Sequence, residues 1–275
     1  MDDVAKQVTQ LWEAGDTWRD VMPASDAHEL VRAMIGMLDR GEVRVAEIVD
    51  GDVVVNEAAK HAIFMWFRVQ DMQRIEVGPF EYVDRLPLKH GYEAAGVRVV
   101  PGASARFGAY LAPGVVMMPS YVNIGAYVDE GSMTDTWSTV GSCAQIGKRV
   151  HLAGGVGIGG VLEPAEAVPV VIEDDCFIGS RCMIVGGARV QRGAALGAGV
   201  ILTTTTPVIE AETGNEIGRG VIPQGAVVVQ GTRMREYPGG TFGLPCALIL
   251  RYLPEGQQHD RLQLNAILRE HGIVS

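Results

Sequence analysis

Residues 120–158 read SYVNIGAYVDEGSMTDTWSTVGSCAQIGKRVHLAGGVGI and repeat one pattern every six residues. A large and mostly aliphatic residue returns in each repeat, and a small residue usually stands two places before it. The large residues are Val122, Val128, Thr134, Val140, Ile146, Leu152 and Ile158. After a break, the same register resumes over residues 172–202. Such a repeat predicts a parallel β-helix, because a six-residue unit cannot bury its apolar side without stacked neighbours.

Side-chain direction in a β-strand converts this repeat into an inside and an outside. Alternate residues point to opposite faces, so the large residue and the small residue two places earlier enter the same interior. The residues directly beside them face outward. Glycines recur between the short strands, and we expect positive φ at these corners because glycine adopts it at little cost. They are Gly125, Gly131, Gly141, Gly147, Gly159, Gly179, Gly193, Gly197 and Gly199.

The chain divides into three predicted parts and is mainly β overall. Residues 1–98 form a mostly helical α/β N-terminal domain. Residues 99–232 form the β-helix, which two loop insertions interrupt, at 163–169 and at 203–220. Both insertions are candidates to line an active site, because functional residues concentrate on loops. The remaining residues, 233–275, form a small C-terminal cap, since the open end of a β-helix must be covered.

Local signals predict the elements at the two ends of the chain. The pair Asp50-Gly51 joins two short strands into a hairpin. An earlier helix has Ser25 as its predicted N-cap. Helical spacing predicts that its buried face comprises Leu30, Val31, Met34, Ile35 and Leu38. In the C-terminal cap we expect a strand over residues 244–252 and a closing helix over residues 260–268.

Composition excludes several classes of function. The chain has 275 residues and a formal net charge of −10, which argues against nucleic acid or an anionic membrane as a partner, because both require a basic surface. No apolar run reaches the roughly 18 residues of a membrane-spanning helix, and the N-terminus lacks a secretory signal, so we expect a cytoplasmic protein. No CxxC motif is present and the histidines are scattered, so we expect no metal site.

Two segments carry a specific resemblance to a known family. MPSYVNIGAYVDEGSMTDTWSTVGSCAQIG at 118–147 and HLAGGVGIGGVLEP at 151–164 resemble the tetrahydrodipicolinate N-succinyltransferase family of the bacterial lysine pathway. A weaker match extends from the N-terminal domain through VIEDDCFIGSR at 171–181. The resemblance implies a left-handed β-helix and a homotrimer with active sites between neighbouring subunits. It also implies transfer of an acyl group from coenzyme A to the amine of 2-amino-6-oxopimelate, the open form of tetrahydrodipicolinate.

Asp135, in the segment MTDTW, is the candidate catalytic residue. An α-ammonium group must lose a proton before its nitrogen attacks a thioester, and a nearby carboxylate both holds the cation and accepts that proton. Asp135 directly follows the inward Thr134, so it faces outward near a corner, and it matches the proposed catalytic aspartate of the family. The alternative is an aspartate that only caps a turn. His151 is a competing base, since imidazole titrates near neutral pH and this residue precedes the inward Leu152.

Two arginines and a methionine are candidates for binding the acceptor substrate. A dicarboxylate requires fixed cations, and arginine offers bidentate geometry. Arg98 matches a substrate-binding arginine of the family and Arg106 follows shortly after it; the alternative for each is a solvated surface charge. Met183 stands where the family pattern carries a second acidic residue, thought to face the substrate amine. An outward methionine indicates a ligand contact or packing between subunits.

Candidates for binding coenzyme A come from the glycine-rich segment and from nearby polar residues. Gly157, Gly159 and Gly160 lie within the six-residue register and open no helix, so a dinucleotide-binding loop is excluded. They are either corner glycines or a bare edge that pantetheine approaches closely. Ser180 and Lys148 complete the predicted site for succinyl-CoA or acetyl-CoA. Further candidates for the coenzyme A phosphates are Arg149, Arg233 and Arg235.

Three interpretations of the function remain open. The first is N-succinyl transfer from succinyl-CoA in lysine biosynthesis. The second rests on Met183 and on the stretch TTTTP at 203–207: a specialised paralogue resembling the acyltransferase of tabtoxin β-lactam biosynthesis, with acetyl-CoA as donor. A comparison of turnover with succinyl-CoA and with acetyl-CoA separates these two interpretations. The third is a non-catalytic scaffold. A failure to bind coenzyme A would favour this interpretation. A γ-type carbonic anhydrase is excluded, because it needs three zinc-binding histidines and the repeat region offers only His151.

Overall fold

A computed structural model describes residues 2–254 and 261–271. The first part of the chain is a helical unit with two hairpins. Its helices are α1 (Asp2–Glu13), α2 (Trp18–Val21), α3 (Ala24–Asp39) and α4 (Glu57–Val69), with a 3₁₀ turn at Gly15–Thr17. The hairpins pair β1 (Ala46–Val49) with β2 (Asp52–Val55), and β3 (Gln73–Val77) with β4 (Phe80–Asp84).

The helical unit confirms the predicted apolar face of α3 but not its predicted cap. Leu30 lies at the edge of the face, and the buried members are Val31, Met34, Ile35 and Leu38. The prediction of Ser25 as N-cap is wrong, because α3 begins at Ala24 with Pro23 in the cap position. The Ser25 hydroxyl instead donates to Asp26 Oδ1 at 2.9 Å. A hydroxyl within the first turn therefore serves a neighbouring side chain and not the helix terminus.

The first hairpin and the helix after it follow from local chemistry. Asp50 and Gly51 have φ values of 51° and 92°, the two positive φ angles that a two-residue hairpin turn of type I′ requires. Asn56 then caps α4, because its Oδ1 accepts a hydrogen bond from Ala59 N at 3.2 Å. The predicted hairpin is thus confirmed, with strands of four residues each.

From residue 98 the chain winds through a parallel β-helix of short strands separated by corners and then continues into longer strands. Its strands are β5 (Arg98–Val99), β6 (Ser104–Ala105), β7 (Tyr110–Leu111), β8 (Val116–Met117), β9 (Tyr121–Val122), β10 (Tyr127–Val128), β11 (Met133–Thr134), β12 (Thr139–Val140), β13 (Gln145–Ile146), β14 (His151–Leu152), β15 (Gly157–Ile158), β16 (Val171–Ile172), β17 (Phe177–Ile178), β18 (Met183–Ile184), β19 (Arg189–Val190), β20 (Ala195–Leu196), β21 (Ile201–Leu202), β22 (Pro207–Glu210), β23 (Glu216–Arg219), β24 (Val221–Ile222), β25 (Ala226–Tyr237) and β26 (Gly240–Tyr252). A helix, α5 (Arg261–Glu270), follows them.

Successive short strands lie in turn on three sheets, which form the sides of the coil. Sheet I stacks β5, β8, β11, β14, β17, β20 and β25 and continues through β26, β22 and β23. Sheet II stacks β6, β9, β12, β15, β18 and β21, and sheet III stacks β7, β10, β13, β16, β19 and β24. The short strands pair in parallel, so that equivalent residues of successive coils lie side by side. We name each turn by the two sheets that it joins in chain order. In one coil, corner III–I comprises residues 129–132, corner I–II residues 135–138 and corner II–III residues 141–144.

The interior of the coil confirms the six-residue register. The second residue of each short strand points inward, and Val128, Ile146 and Ile172 are fully shielded from solvent. Each fully buried aliphatic side chain of this size contributes about 1.5–3 kcal/mol of burial free energy. Thr134 is the polar exception in the repeat, and its hydroxyl lies 2.9 Å from the buried Ser120 Oγ. This pairing satisfies two hydroxyls that would otherwise be buried without partners.

The corners depart from the expectation about glycine. Positive φ occurs at only four of the predicted corner glycines, which are Gly125, Gly131, Gly193 and Gly199. Two residues other than glycine, Trp137 and Cys143, also adopt positive φ at corners, with values of 61° and 67°. Gly141 has an ordinary φ, but a Cβ atom there would overlap the backbone of Gly160 in the next coil. At that corner glycine is therefore required by close packing and not by the backbone angle.

Both insertions leave the coil at corner II–III. Residues 163–169 contain no strand, in agreement with the predicted loop. The prediction of a loop over 203–220 is wrong in part, because β22 and β23 form an antiparallel pair within it. β22 also pairs with β26, and its Val208 is fully buried in the core of the coil. A partner strand far along the chain thus converts a polar-looking segment into a sheet.

The C-terminal part extends sheet I beyond the coil. β25 and β26 form a long antiparallel hairpin, and β25 runs across residue 232, where the sequence analysis placed the end of the β-helix. The predicted closing helix is present as α5, although its expected first residue, Asp260, lies outside the described residues. Ile267 and Leu268 pack against Ala195 and Val227 on the outward face of sheet I. Within the described residues, the helices are too short and too polar to cross a membrane.

The N-terminal unit packs against corner II–III. Ile124 and Cys143, which lie at this corner, belong to the same apolar cluster as the helices. The fully buried Lys60 of α4 donates through Nζ to Pro164 O at 3.2 Å and to Ala167 O at 2.5 Å. Burial lowers the pKa of Lys60. The helical unit therefore covers this corner and holds the first insertion in place.

Candidate active site

Asp135 lies at corner I–II, between β11 and β12, and about a third of its side chain is exposed. Its Oδ1 accepts hydrogen bonds from Thr136 N at 2.6 Å and from Thr136 Oγ1 at 3.2 Å. Its Oδ2 lies 3.7 Å from His151 Nε2 and accepts no hydrogen bond from the part of the chain that the structure describes. One carboxylate oxygen is thus fixed by the chain, and the other is available to a ligand.

His151 is brought beside Asp135 by the stacking of the coil. β14 pairs with β11, so His151 lies next to Met133 on the outward face of sheet I. The imidazole packs edge-on against Phe177, with ring centroids 5.3 Å apart and planes at 68°. The two residues that the sequence analysis treated as alternative bases are neighbours in the structure.

Arg98 lies on the same outward face as His151. β5 pairs with β8 and β8 pairs with β11, so Arg98 is two strands away from Met133. At ordinary strand spacing this separation is about 10 Å along the coil axis. The Arg98 side chain is exposed and forms no ion pair with any of the residues the structure describes. It is a cation on the Asp135 side of the coil that is open to an anionic ligand.

Arg106 lies at corner II–III, away from Asp135 within one chain. Its Nη2 contacts Asp84 Oδ2 at 2.9 Å, and its Nη1 donates to Asn123 Oδ1 at 3.3 Å. Only 22% of the side chain is exposed. The guanidinium therefore ties the β3–β4 hairpin to the coil, and a substrate carboxylate would have to replace Asp84 as its partner.

Met183 and Gly157 are coupled by packing on sheet II. They are neighbours in register on β18 and β15. A Cβ atom on Gly157 would lie 2.5 Å from Met183 Sδ, so the glycine makes room for the methionine. Met183 remains 42% exposed. It lies two strands along from Thr139 of β12, the strand that follows Asp135, or about 10 Å along the axis.

The other two predicted glycines also make room for the chain itself. A Cβ atom on Gly159 would lie 2.8 Å from a methyl carbon of Val185, and one on Gly160 would lie 2.8 Å from Ser142 N. The glycine run is thus explained by contacts between successive coils. Only Gly160 is exposed, so among these glycines it alone offers an open backbone to a ligand such as pantetheine.

Ser180 and Lys148 lie at different corners of the coil. Ser180 is exposed at corner I–II, on the same edge as Asp135. Lys148 lies at corner III–I, where its Nζ is 3.6 Å from Glu130 Oε2 and its side chain is 43% exposed. One chain alone therefore does not gather the predicted coenzyme A contacts into a single pocket.

The arginines considered for the coenzyme A phosphates differ in availability. Arg149 forms a bidentate pair with Asp175, with distances of 2.6 Å and 2.9 Å. Arg233 pairs with Glu216 at 2.5 Å. Arg235 is exposed on β25 and has no ion pair within the described residues. A phosphate meets an unoccupied guanidinium at Arg235 but must compete with carboxylates at the other two.

Comparison with known proteins identifies the family. Residues 3–69 match the family model for the N-terminal part of tetrahydrodipicolinate N-succinyltransferase, and residues 169–204 match the hexapeptide repeat of succinyl-transferase. The 2,3,4,5-tetrahydropyridine-2,6-dicarboxylate N-succinyltransferase of Alkalilimnicola ehrlichii is 48% identical over 275 residues, which cover 98% of this chain and 100% of that protein. The chain belongs to the tetrahydropyridine-dicarboxylate N-succinyltransferase family.

Other members and a solved structure extend the comparison. The enzyme of the same name from Pectobacterium atrosepticum is 46% identical and covers 91% of this chain and 93% of its own length. A crystal structure from Campylobacter jejuni, provisionally described as a 2,3,4,5-tetrahydropyridine-2-carboxylate N-succinyltransferase, is 18% identical with a TM-score of 0.47. It covers 80% of this chain and 62% of its own. Family membership and the hexapeptide repeat confirm the expected left-handed parallel β-helix.

Sequence reasoning missed three residues of this N-succinyltransferase family member that lie beside Asp135 or His151. Thr136 fixes the carboxylate and Phe177 packs on His151. Trp137 is 77% exposed and has a φ of 61°, which is an outlier for a bulky residue. The six-residue repeat could have pointed to Trp137, because it aligns this residue with Gly155 of the next coil. The φ of Gly155 is 71°. A tryptophan in a position suited to glycine is strained, and such strain concentrates at functional sites.

The possible metal ligands of the described residues form no cluster of three or more, and the cysteines are buried. Within the described ranges, no three histidine, cysteine, aspartate or glutamate side chains converge on a common point that could hold a metal ion. Burial raises the pKa of the Cys143 thiol to about 12 and that of Cys182 to about 11. These thiols are therefore protonated at neutral pH and pack as small apolar side chains.

Proposed function

We propose that this protein transfers the succinyl group of succinyl-CoA to the amine of 2-amino-6-oxopimelate, the open form of tetrahydrodipicolinate, in lysine biosynthesis. Relatives that cover nearly its whole length bear the name of this N-succinyltransferase. The observation that carries the proposal is the Asp135 carboxylate, which Thr136 holds at an outward corner with Oδ2 left open. Acyl transfer to an ammonium group requires a base in such a position.

The proposed chemistry at Asp135 couples proton transfer to amide formation. The substrate ammonium donates to Oδ2 and gives up a proton, and its nitrogen attacks the thioester carbonyl carbon. A carbon–nitrogen bond forms, and the carbon–sulfur bond of the thioester breaks. The nitrogen loses two protons in all: one protonates the leaving coenzyme A thiolate, and the other passes through Asp135 to water. The carboxylate is thereby restored.

The arginines of the site are proposed to bind the two carboxylates of the acceptor. Arg98 is the better placed, because it is exposed and lies on the outward face that carries His151. Arg106 requires an exchange of partner, since Asp84 and Asn123 already contact it. Arginine suits this task because its planar guanidinium binds a carboxylate through two parallel hydrogen bonds.

The active site is proposed to form between copies of this chain in a homotrimer. In support, a single chain spreads the predicted contacts over all three corners of the coil. Met183 and Ile201 are also neighbours in register on sheet II and are 42% and 51% exposed, which forms an apolar strip available to a second copy. Light scattering should therefore give the mass of three chains. A monomer that acylates at the full rate contradicts this assembly.

The acyl-CoA is proposed to pass along the exposed edge at Gly160, with Met183 beside the acceptor. Ser180 and Lys148 then contact the donor from neighbouring copies. The exposed backbone of Gly160 supports this course, since the flanking Gly157 and Gly159 are occupied by their own coil. Calorimetry with coenzyme A tests the binding step, and an absence of binding favours the scaffold interpretation.

Replacement of the proposed base tests the reaction. Asp135→Asn keeps the shape of the side chain and removes its basicity, and we expect kcat to fall by about a hundredfold or more, the range of general-base catalysis. Asp129→Asn is a matched control, because Asp129 Oδ1 likewise accepts from the following backbone nitrogen, at 2.8 Å, but at corner III–I. The control should keep the wild-type rate. Equal rates for both variants contradict Asp135 as the base.

The identity of the donor is tested separately. We expect kcat/KM with succinyl-CoA to exceed that with acetyl-CoA by at least tenfold, measured by release of the coenzyme A thiol with the same acceptor. Equal or faster turnover with acetyl-CoA would instead support the specialised paralogue. Met183→Glu restores the acidic residue of the family pattern, and its effect on donor choice shows whether Met183 contacts the acyl group or the acceptor.

A further inference from the structure

His151 has one ring nitrogen that is buried and lacks a partner. The side chain as a whole is 42% exposed, yet Nε2 is shielded from solvent and forms no hydrogen bond within the described residues. The imidazole edge that carries Nε2 therefore faces the protein, while the rest of the ring reaches solvent. A buried polar atom without a partner costs about 1–3 kcal/mol, so its persistence requires an explanation.

Packing holds the imidazole in this orientation. The ring meets Phe177 edge-on at 5.3 Å, and the backbone of His151 is fixed between Met133 and Phe177 by parallel pairing on both sides. Leu152, the next residue, is fully buried inside the coil, so the direction of the His151 side chain is set by the strand. Nε2 is thus placed by the fold.

The group that Nε2 faces is the open oxygen of Asp135. The distance from Nε2 to Oδ2 is 3.7 Å, which is longer than a hydrogen bond. Catalytic hydrogen bonds are often long without substrate and shorten in the reacting complex. The two lone pairs of Oδ1 are already used by Thr136 N and Thr136 Oγ1.

We propose that His151 is a positioning residue, whose Nε2–H donates to Asp135 Oδ2 in the reacting complex. Together with Thr136 it then occupies three of the four acceptor directions of the carboxylate. One lone pair of Oδ2 remains, and it is aimed at the substrate ammonium. His151 donates through Nε2–H and takes no proton from the substrate. This inference rests on the proposed role of Asp135 and adds to it the residue that orients the base.

Two substitutions separate the hydrogen bond from the packing. His151→Phe keeps a ring against Phe177 but has no donor, and we expect kcat to fall about 10- to 100-fold, while KM for both substrates changes less than about threefold. His151→Gln places an amide donor near the position of Nε2, whereas His151→Asn places one near Nδ1. The glutamine variant should therefore remain within about fivefold of wild type and exceed the asparagine variant by about tenfold. His90→Gln, at an exposed histidine, is the matched control.

A double variant tests whether His151 acts through Asp135. Because the imidazole works only by orienting the carboxylate, Asp135→Asn combined with His151→Phe should be no slower than Asp135→Asn alone, within about twofold. A wild-type rate for His151→Phe overturns the inference, as does a glutamine variant no faster than the asparagine variant. A further loss in the double variant also overturns it.

The failure of this inference is distinguishable from failure of the proposed function. If Asp135→Asn keeps the wild-type rate, the assignment of the base is wrong whatever the histidine variants do. If Asp135→Asn is slow and the histidine variants behave as wild type, only the role of His151 is wrong. Thermal melting of each variant identifies any that fail to fold, and the glutamine and asparagine pair decides the question if the phenylalanine variant is unstable.

Discussion

Corner I–II and corner II–III arise from the same six-residue repeat but have opposite surroundings. At corner I–II, Trp137 is 77% exposed and a third of Asp135 faces solvent. At corner II–III, Lys60 and Asp84 of the N-terminal unit reach the coil and bind to it. The repeat thus builds one scaffold for both corners, and their surroundings differ because the N-terminal unit covers corner II–III and leaves corner I–II open.

The same comparison shows where the two insertions lie within one chain. Both insertions are candidates to line the active site, because long loops commonly carry function. Both leave the coil at corner II–III, and the first is held by Lys60 against α4. Asp135 lies at corner I–II. Within one chain, the insertions therefore belong to the covered side, and they reach an Asp135 site only if another copy brings one.

The largest expected effect contrasts one substitution at the two corners. Gly141→Ala places a Cβ atom in the backbone of Gly160 at corner II–III, and we expect unfolding free energy to fall by about 3 kcal/mol or more. Gly154→Ala, at corner I–II, meets Thr136 O at an ordinary 3.5 Å and should change stability by less than about 0.5 kcal/mol. Urea unfolding measures both. Similar losses at the two glycines would show that the corners are equally packed.

A second prediction tests how the covered corner is held. Lys60→Met removes the donor to Pro164 O and Ala167 O. We expect the free energy of unfolding to fall by about 1–3 kcal/mol, because two part-buried hydrogen bonds are lost. Amide hydrogen exchange over the first insertion should rise as well. Lys6→Met, at an exposed position of α1, is the control and should leave both quantities unchanged. Unaltered exchange in Lys60→Met would mean that the insertion is held by other contacts.

A third prediction tests the strain at the open corner. Trp137 has positive φ, which costs a residue with a Cβ atom about 1 kcal/mol relative to glycine. Trp137→Gly should therefore be about 1 kcal/mol more stable than Trp137→Ala in urea unfolding, since both lose the same indole. An alanine variant that equals or exceeds the glycine variant would show that the backbone angle carries no penalty.

The smallest expected effect is a pH dependence on the covered side. Burial lowers the pKa of His61 below 6.5, and the side chain is 8% exposed. The folded protein then binds fewer protons than the unfolded chain between the lowered pKa and 6.5. The contribution of His61 to the free energy of unfolding should therefore fall as pH decreases through that window and stay level above it.

Comparison with a variant isolates this contribution. His61→Gln should lack that portion of the pH dependence in urea unfolding between about pH 5 and 8, whereas His90→Gln, at an exposed histidine, should retain it. Parallel curves for wild type and His61→Gln would contradict a lowered pKa in the folded state.

The proximity of Asp135 and His151 could have been predicted from the sequence, but the two residues were treated only as alternatives. Three six-residue repeats complete one coil, so residue 151 falls beside residue 133. A count along the uninterrupted repeat, before the first insertion, therefore predicts the neighbour of an outward residue. In contrast, the strands within 203–220 were not predictable, because β22 pairs with β26, whose residues lie far along the chain.

The sequence by itself determined the coil, its register and the outward position of Asp135, because alternation along a strand and the six-residue period are local properties. Only the tertiary structure decided that Arg106 is occupied by Asp84, that Gly157 makes room for Met183, and that corner II–III is covered. These are contacts between segments distant in the chain. They depend on how separately folded elements pack, and no local pattern encodes that packing.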